Sequence, residues 1–225
     1  MRTDCALLIF VKFPQRGMVK TRLAKDTGAY FATEFYRICT EHILSETKKL
    51  KKENFTAYIY CYSNSEVEMV SGWVGKEFIV KAQIDGDLGE RMSRSFNEIF
   101  HEGFSKVLII GTDVPDITSD LINSAALKLD KSDFVIGPSS DGGYYLLGMN
   151  RPITEIFHEI NWSTSIVLQN TLDKIKSLEL KVDLIDELID IDTKNDLINW
   201  MKIRSDLNNP VYKYLADYYK KLQQS

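Results

Sequence analysis

Residues 5–11 read CALLIFV and run directly into KFPQRGMVKTR, residues 12–22. An unbroken apolar run of this length, followed by polar residues, is the signature of a strand buried on both faces, as in a parallel sheet. The segment behind it is a loop that concentrates Lys12, Arg16, Lys20 and Arg22 around Gly17. A helix is expected next, with Ala32, Phe35, Cys39 and Ile43 on one face. Lys48, Lys49, Lys51 and Lys52 suit its solvated last turn better than they suit a binding patch. Strand, charged loop and helix in succession make the repeating unit of an α/β fold.

The rest of the chain continues that alternation. Strands are expected over 55–62, 78–84 and 106–110, with a helix over 88–104 that turns Met92, Phe96, Ile99 and Phe100 inward. Thr118 is placed to cap a helix burying Leu121, Ile122, Ala125, Ala126 and Leu129. Two short strands, 134–137 and 145–148, flank the turn signal Asp141-Gly142-Gly143. Ser163 is read as the cap of a helix reaching Ile175, and 180–185 as a late strand. Thr193 and Asp196 form a looser capping box for the helix carrying Leu197, Trp200 and Met201. The pattern predicts one domain over residues 1–225, an open, mixed and mostly parallel sheet flanked by helices.

The tail fits a last helix at about 210–222, since Pro210 is suited to a first helical position. Val211, Leu215, Tyr218 and Leu222 form its stripe, and Tyr212, Tyr214 and Tyr219 flank it. Core packing against the chain's own sheet is the expected role of that stripe. A homodimer contact is the alternative, so the chain is expected to be a monomer or a homodimer.

Composition narrows the function. With 28 Lys+Arg against 32 Asp+Glu the net charge is −4, which excludes a globally basic nucleic-acid coat; 44% apolar residues provide for a sizeable core. The apolar run at 5–11 falls far short of the roughly 20 residues that span a bilayer. It also lacks the cleavage site of a signal peptide, so a cytoplasmic chain with no membrane span is expected. Cys5, Cys39 and Cys61 are odd in number, widely spaced and set in apolar runs, which reads as buried thiols rather than disulfides or a zinc site.

In open α/β sheets ligands bind beyond the carboxyl ends of the strands, so the loops there carry the chemistry. The basic loop offers backbone donors beside glycine and charge for a polyphosphate. It is not a P-loop, because Val19 stands where that motif needs glycine before its lysine. Asp113, after the strand at 106–110, is a carboxylate that is costly to place there unless it binds a cation or donors. Mg²⁺ prefers one or two carboxylates plus substrate phosphates, so Asp113 suits a metal–nucleotide site. A second acidic group is Asp190-Ile191-Asp192. Its spacing leaves open whether one carboxylate reaches a metal while the other caps the helix, or a turn brings both inward. His101-Glu102 and His158-Glu159 lack the second histidine of a zinc protease, and no G-x-S-x-G or G-x-G-x-x-G is found. Residues 86–91 mimic an RNA-binding loop, but Asp87 and Glu90 would repel phosphates, so no nucleic-acid partner is expected.

Six blocks resemble a known family: LIFVKFPQRGMVKTRLA, DGDLGERM, LIIGTDVPDI, GPSSDGGYYLLGM, INWSTSIV and DIDTKNDL. They are similar, in the same order, to the DUF2064-type, radical-SAM/selenodomain-associated transferases of the nucleotide-diphospho-sugar transferase (GT-A) superfamily. A more distant resemblance is to phospholactate and phosphoenolpyruvate guanylyltransferases, which share a basic K-T/S-R-L element, a central Asp and a D-x-D-T-x-x-D-L ending. The resemblance implies a GT-A fold and Mg²⁺ (or Mn²⁺) held by Asp113, Asp190 and Asp192. It implies a nucleotide or nucleotide-sugar donor on Lys12, Gly17, Lys20, Arg22, Gly89 and Arg91. Lys20 would also stabilise the leaving phosphate, and Asp141 would activate the acceptor. A small-molecule acceptor would meet Gly142, Gly143, Ser163 and Thr164, and in the guanylyltransferases the matching serine receives an anionic group. The chain departs from the usual wording at Lys194, where proline is commoner; the helix cap should survive. Glycosyl and nucleotidyl transfer both fit, and a non-catalytic nucleotide-binding or scaffold protein of the same fold is the alternative.

Overall fold

The computed structural model describes residues 5–50 and 54–223, with side chains as far as Lys220. Lys51, Lys52 and the side chain of Leu222 lie outside the described residues. Strands β1 (Cys5–Val11), β2 (Phe55–Cys61), β3 (Ile79–Ala82), β4 (Lys106–Ile110), β5 (Phe134–Pro138), β6 (Tyr144–Met149) and β7 (Val182–Leu184) form one sheet. Their order is β3-β2-β1-β4-β6-β5-β7. All pairings are parallel except those of β6 with β4 and β5. Eight helices accompany them among the described residues: α1 (Thr21–Thr27), α2 (Ala29–Lys49), α3 (Val67–Val74), α4 (Leu88–His101), α5 (Ser119–Lys128), α6 (Val167–Ser177), α7 (Lys194–Ile203) and α8 (Pro210–Gln223). This is the mostly parallel, helix-flanked sheet that the alternating pattern predicts.

The apolar run of β1 is apolar throughout because both faces of the sheet are covered. Cys5, Leu7, Ile9 and Val11 enter a core shared with Phe35 and Ile43 of α2, Ile122 of α5 and Trp200 of α7. Ala6 and Leu8, on the opposite face, pack with Met92, Phe96 and Ile99 of α4 and Ile175 of α6. Cys5, Cys39 and Cys61 are buried free thiols. Among the described residues no helix is long and apolar enough to cross a membrane.

Several local expectations need correction. The helix after the basic loop is two helices, broken at Gly28 (φ 86°), a conformation that glycine adopts without a Cβ penalty. Helix α3 was not anticipated, since eight residues give little periodicity to read. Ser163 does not cap α6: that helix begins at Val167 behind Ile166, and Ser163 lies in the left-handed region at φ 63°. Helix α4 stops at His101, and its N-terminus carries a capping box between Asp87 and Glu90. The carboxylates of residues 86–91 are thus used to start a helix. The caps at Thr118 and Thr193 form, and Lys194 leaves the second undisturbed. In α8, Val211 and Leu215 are fully buried, and the Tyr218 ring lies 4.0 Å from that of Phe31. The stripe therefore packs on the helical layer at α2 rather than on the sheet.

Helices α2 and α5 are joined by a polar clasp. The Glu46 carboxylate accepts from the Ser119 backbone N–H at 3.1 Å and from its hydroxyl at 3.2 Å, and it pairs with Lys49. Burial alone would raise its pKa, but the bonds from Lys49 and Ser119 hold it below the usual glutamate range. A depressed folded-state pKa contributes stability above the unfolded value and loses it as pH falls through the folded one. Glu46→Gln is therefore expected to lower the unfolding free energy at pH 7 by about 1–2 kcal/mol. The gap to the parent should shrink below about pH 4, measured by urea melts across pH.

Candidate functional site

Because β6 alone runs against the other strands, its first residue shares an edge of the sheet with the carboxyl ends of the rest. The segments after β1, β2, β3, β4, β5 and β7, with the loop before α6, meet there around a cleft of about 680 Å³. That size suits a small-molecule ligand.

The centre of the cleft is an ion cluster. Lys20 Nζ lies 2.7 Å from Asp113, 2.8 Å from Asp192 and 3.5 Å from Asp190, and its side chain is only 3% exposed. One oxygen from each carboxylate falls within 4.8 Å of the others. Lys20 reaches this position from a left-handed backbone (φ 48°, ψ 45°) at the start of α1. For a non-glycine residue that conformation is uncommon. The base of its loop is anchored at the Lys12 backbone N–H, which donates to the buried Tyr36 hydroxyl at 2.9 Å.

Asp190 and Asp192 arrive because the chain continues alongside β5 after β7 ends. The Leu188 N–H donates to Pro138 O (3.1 Å), the Ser140 N–H to Leu188 O (3.0 Å), and the Ile191 N–H to Asp113 O (3.1 Å). Ile191 is fully buried between them, so both carboxylates share the cleft face, as residues two apart in an extended segment do. Neither caps α7; Thr193 has that role. Burial opposes the charge on Lys20, and the three carboxylates more than offset it, holding the ammonium protonated. Burial pushes Asp190 well above the carboxylate range, with Asp113 and Asp192 adding and Lys20 opposing. Asp192, also partly buried, is brought below that range by Lys20 and Arg22.

On one side of this cluster, Tyr62 carries Lys12 Nζ at 4.8 Å and the Arg91 guanidinium at 5.4 Å from its ring centroid. Arg91 also donates to Gln83 Oε1 at 2.8 Å, while Gln83 Nε2 donates to Tyr60 O. On the other side, Asp141 accepts from the Ser139 hydroxyl at 2.5 Å and the Gly143 N–H at 3.0 Å. Trp162, Ser163 and Thr164 complete that wall.

Of the residues singled out in the sequence, Lys12, Lys20, Arg22, Asp113, Asp190, Asp192, Arg91, Asp141, Gly143, Ser163 and Thr164 line the cleft. Gly17, Gly89 and Gly142 are not among the lining residues, and the structure gives two of them packing roles instead. A Cβ on Gly89 would sit 2.4 Å from the Trp162 indole nitrogen, and one on Gly142 would sit 2.0 Å from Ser165 O. Gly17 is exposed at φ 79°. Sequence reasoning missed Tyr36, Tyr62, Gln83 and Trp162. Tyr62 and Gln83 directly follow β2 and β3, but the expected strands over 55–62 and 78–84 ran one and two residues too far and enclosed them. Trp162 stands within INWSTSIV, which was read only for its hydroxyls. Tyr36 sits inside a helix and gave no signal.

The fold, with this cleft at the carboxyl edge of its sheet, is that of the nucleotide-diphospho-sugar transferase and nucleotidyltransferase class. The chain belongs to the DUF2064 family, described as uncharacterized protein conserved in bacteria, whose pattern matches residues 46–164. No curated protein matches it significantly. Among solved structures, it is similar to a candidate nucleotide-diphospho-sugar transferase from Desulfovibrio desulfuricans G20. The identity is 30%, over 99% of this chain and 98% of that one, with a TM-score of 0.89. At 10% identity, where likeness speaks for fold alone, it is similar to 4-diphosphocytidyl-2C-methyl-D-erythritol synthase from Anaerococcus prevotii DSM 20548 (TM-score 0.60, 95% and 99% covered). It is also similar to Rv0371c from Mycobacterium tuberculosis H37Rv in complex with manganese (10% identity, TM-score 0.54, 90% and 100% covered).

Gly142 joins the turn between β5 and β6 to the start of α6: its carbonyl accepts from the Leu168 N–H at 2.9 Å, and its φ is 89°. Gly142→Ala should cost roughly 1–3 kcal/mol through the clash with Ser165 O and the strained backbone. Gly143→Ala meets only side-chain oxygens at 3.2 Å and should cost less. Thermal melts of the two variants test this order.

Proposed function

We propose that the chain is a metal-dependent transferase that uses a nucleotide donor, a nucleotide sugar or a nucleoside triphosphate, to modify a small-molecule acceptor. The observation that supports this most is the Lys20 ammonium held by Asp113, Asp190 and Asp192 at the carboxyl edge of the sheet. One ammonium leaves three carboxylates under-neutralised, and an all-oxygen donor set suits a hard divalent cation such as Mg²⁺ or Mn²⁺. The position taken by Lys20 Nζ between these oxygens supports reading the cluster as a cation site. When bound, the ion would supply a Lewis acid that draws charge from the departing phosphate.

The remaining roles fall to the chain's own groups. Asp113, Asp190 and Asp192 would hold the ion. Lys20 and Arg22 would neutralise the donor phosphates and the charge that develops as the phosphate leaves. Lys12, Arg91 and the Tyr62 ring, on the far side of the cluster, would grip the rest of the donor. Asp141, its carboxylate oriented by Ser139 and the Gly143 N–H, would take the proton of an acceptor hydroxyl. A non-catalytic scaffold needs no such convergence of carboxylates, cations and an oriented base. We read the chain as one domain built around this cleft. A cytoplasmic setting fits its free, buried thiols.

Incubating the protein with Mg²⁺, pools of nucleoside triphosphates or nucleotide sugars and a mixed acceptor pool tests the reading directly. Pyrophosphate release identifies nucleotidyl transfer, and nucleoside diphosphate release identifies glycosyl transfer. Absence of both, together with metal-independent nucleotide binding, would leave the scaffold reading standing. Asp113→Asn, at a partly exposed carboxylate, should leave the melting temperature within a few degrees of the parent and lower metal-dependent nucleotide affinity at least about tenfold. Calorimetric titration with Mg²⁺ present and absent measures it.

Lys20→Met gives a sharper test, because Lys20 occupies the space between the proposed ligands. Without nucleotide, the variant should bind Mn²⁺ more tightly than the parent, since the competing internal cation is gone. Its affinity for Mg²⁺–nucleotide should fall. Electron paramagnetic resonance titration of free Mn²⁺ distinguishes this from a lysine that serves phosphates alone, for which bare Mn²⁺ affinity would not rise.

A further inference from the structure

The two sides of the cleft differ in charge. Among the described lining residues the Lys and Arg side chains are Lys12, Lys20, Arg22 and Arg91, and Asp141 is bonded instead to the Ser139 hydroxyl and the Gly143 N–H. Lys20 is enclosed by the three carboxylates, and Arg22 faces Asp192 at 3.6 Å. Lys12 and Arg91 lie over Tyr62. The turn between β5 and β6 and the 162–165 loop packed against it present Ser139, Asp141, Trp162, Ser163 and Thr164 to the cleft: hydroxyls, one carboxylate and one indole.

That wall is built rather than loose. Gly142 packs directly against Ser165 O, and its carbonyl holds the Leu168 N–H of α6, so the 139–143 turn is fastened to the 162–165 loop and the helix that follows it. Trp162 rests on the bare Cα of Gly89 and lies 6.3 Å from the Phe157 ring, yet it remains partly exposed to the cleft.

Resting on the transferase reading, we propose that the acceptor is a neutral, hydroxyl-rich molecule of the sugar or polyol class, seated on Trp162 with its hydroxyls on Asp141 and the Ser139, Ser163 and Thr164 side chains. An acceptor carrying a carboxylate or phosphate would face Asp141 there, and neither of these two segments supplies a Lys or Arg to the cleft. Like charges a few ångströms apart cost on the order of a kilocalorie even at high dielectric, and more where water is excluded. A polyol has donors for the carboxylate and hydroxyls, and its C–H face packs on indole. This departs from the anionic acceptors of the guanylyltransferases that the sequence resembles.

The test uses the full chain with Mg²⁺ and whichever of ADP, CDP, GDP and UDP binds best, so that the phosphate-binding side is filled. Saturation-transfer NMR then compares methyl glucoside, methyl mannoside and myo-inositol with phosphoenolpyruvate and 2-phospholactate. Saturation of one or more neutral probes is expected. It should be abolished by Trp162→Ala, partly restored in Trp162→Phe and weakened about fivefold or more by Asp141→Asn. The proposal is overturned if the anionic probes bind in a Trp162-dependent way and the neutral ones do not. It is equally overturned if nucleotide binds and no neutral probe does, which leaves the transferase reading intact. Failure of any Mg²⁺–nucleotide to bind would instead remove the parent reading and this one together.

Discussion

A single buried ammonium, Lys20 Nζ, gathers three carboxylates that come from two separate strand ends, and the architecture of the cleft is arranged around that contact. Taking charges out of water is costly unless they meet partners in good geometry. Here the partners are supplied by segments far apart in sequence, at residues 20, 113, 190 and 192. The supporting features serve the same end: the left-handed backbone at Lys20, the Tyr36 hydroxyl that fixes Lys12, and the bond from the Ile191 N–H to Asp113 O. Without those contacts the cluster would be a set of solvated side chains with no common point.

The same arrangement explains the reversed strand. Because β6 runs against its neighbours, the turn between β5 and β6 lies at the carboxyl edge, beside the ion cluster. That turn carries Asp141, and the chain after β7 runs along it to deliver Asp190 and Asp192. One antiparallel insertion thus brings a candidate base and two candidate ligands within reach of a loop from the opposite half of the sheet.

Charge divides the cleft around this centre. Lys12 and Arg91 gather at Tyr62, while the turn with Asp141 and the loop with Trp162 offer hydroxyls and a carboxylate. Membership of an uncharacterized bacterial family and likeness to a nucleotide-diphospho-sugar transferase fold are compatible with more than one transfer chemistry, because a fold does not choose its substrate. The choice depends on which small groups line each wall.

Much of the fold was legible in the sequence. The run at 5–11 signalled a doubly covered strand, and the caps at Thr118 and Thr193 marked helix starts, because these signals are local and depend on periodicity and side chain-to-backbone geometry. The candidate chemistry was legible as clusters after strands: the basic loop, Asp113, and the pair Asp190 and Asp192. Other features were not. The break at Gly28 is a local feature that apolar periodicity does not report, whereas the packing roles of Gly89 and Gly142 depend on neighbours distant in sequence. The sequence alone determined which residue types stand at the strand ends. Only the tertiary structure decided that Ile191 turns inward so that both flanking carboxylates meet Lys20, because that depends on a segment pairing beside β5 and on the cost of leaving a buried charge unpaired.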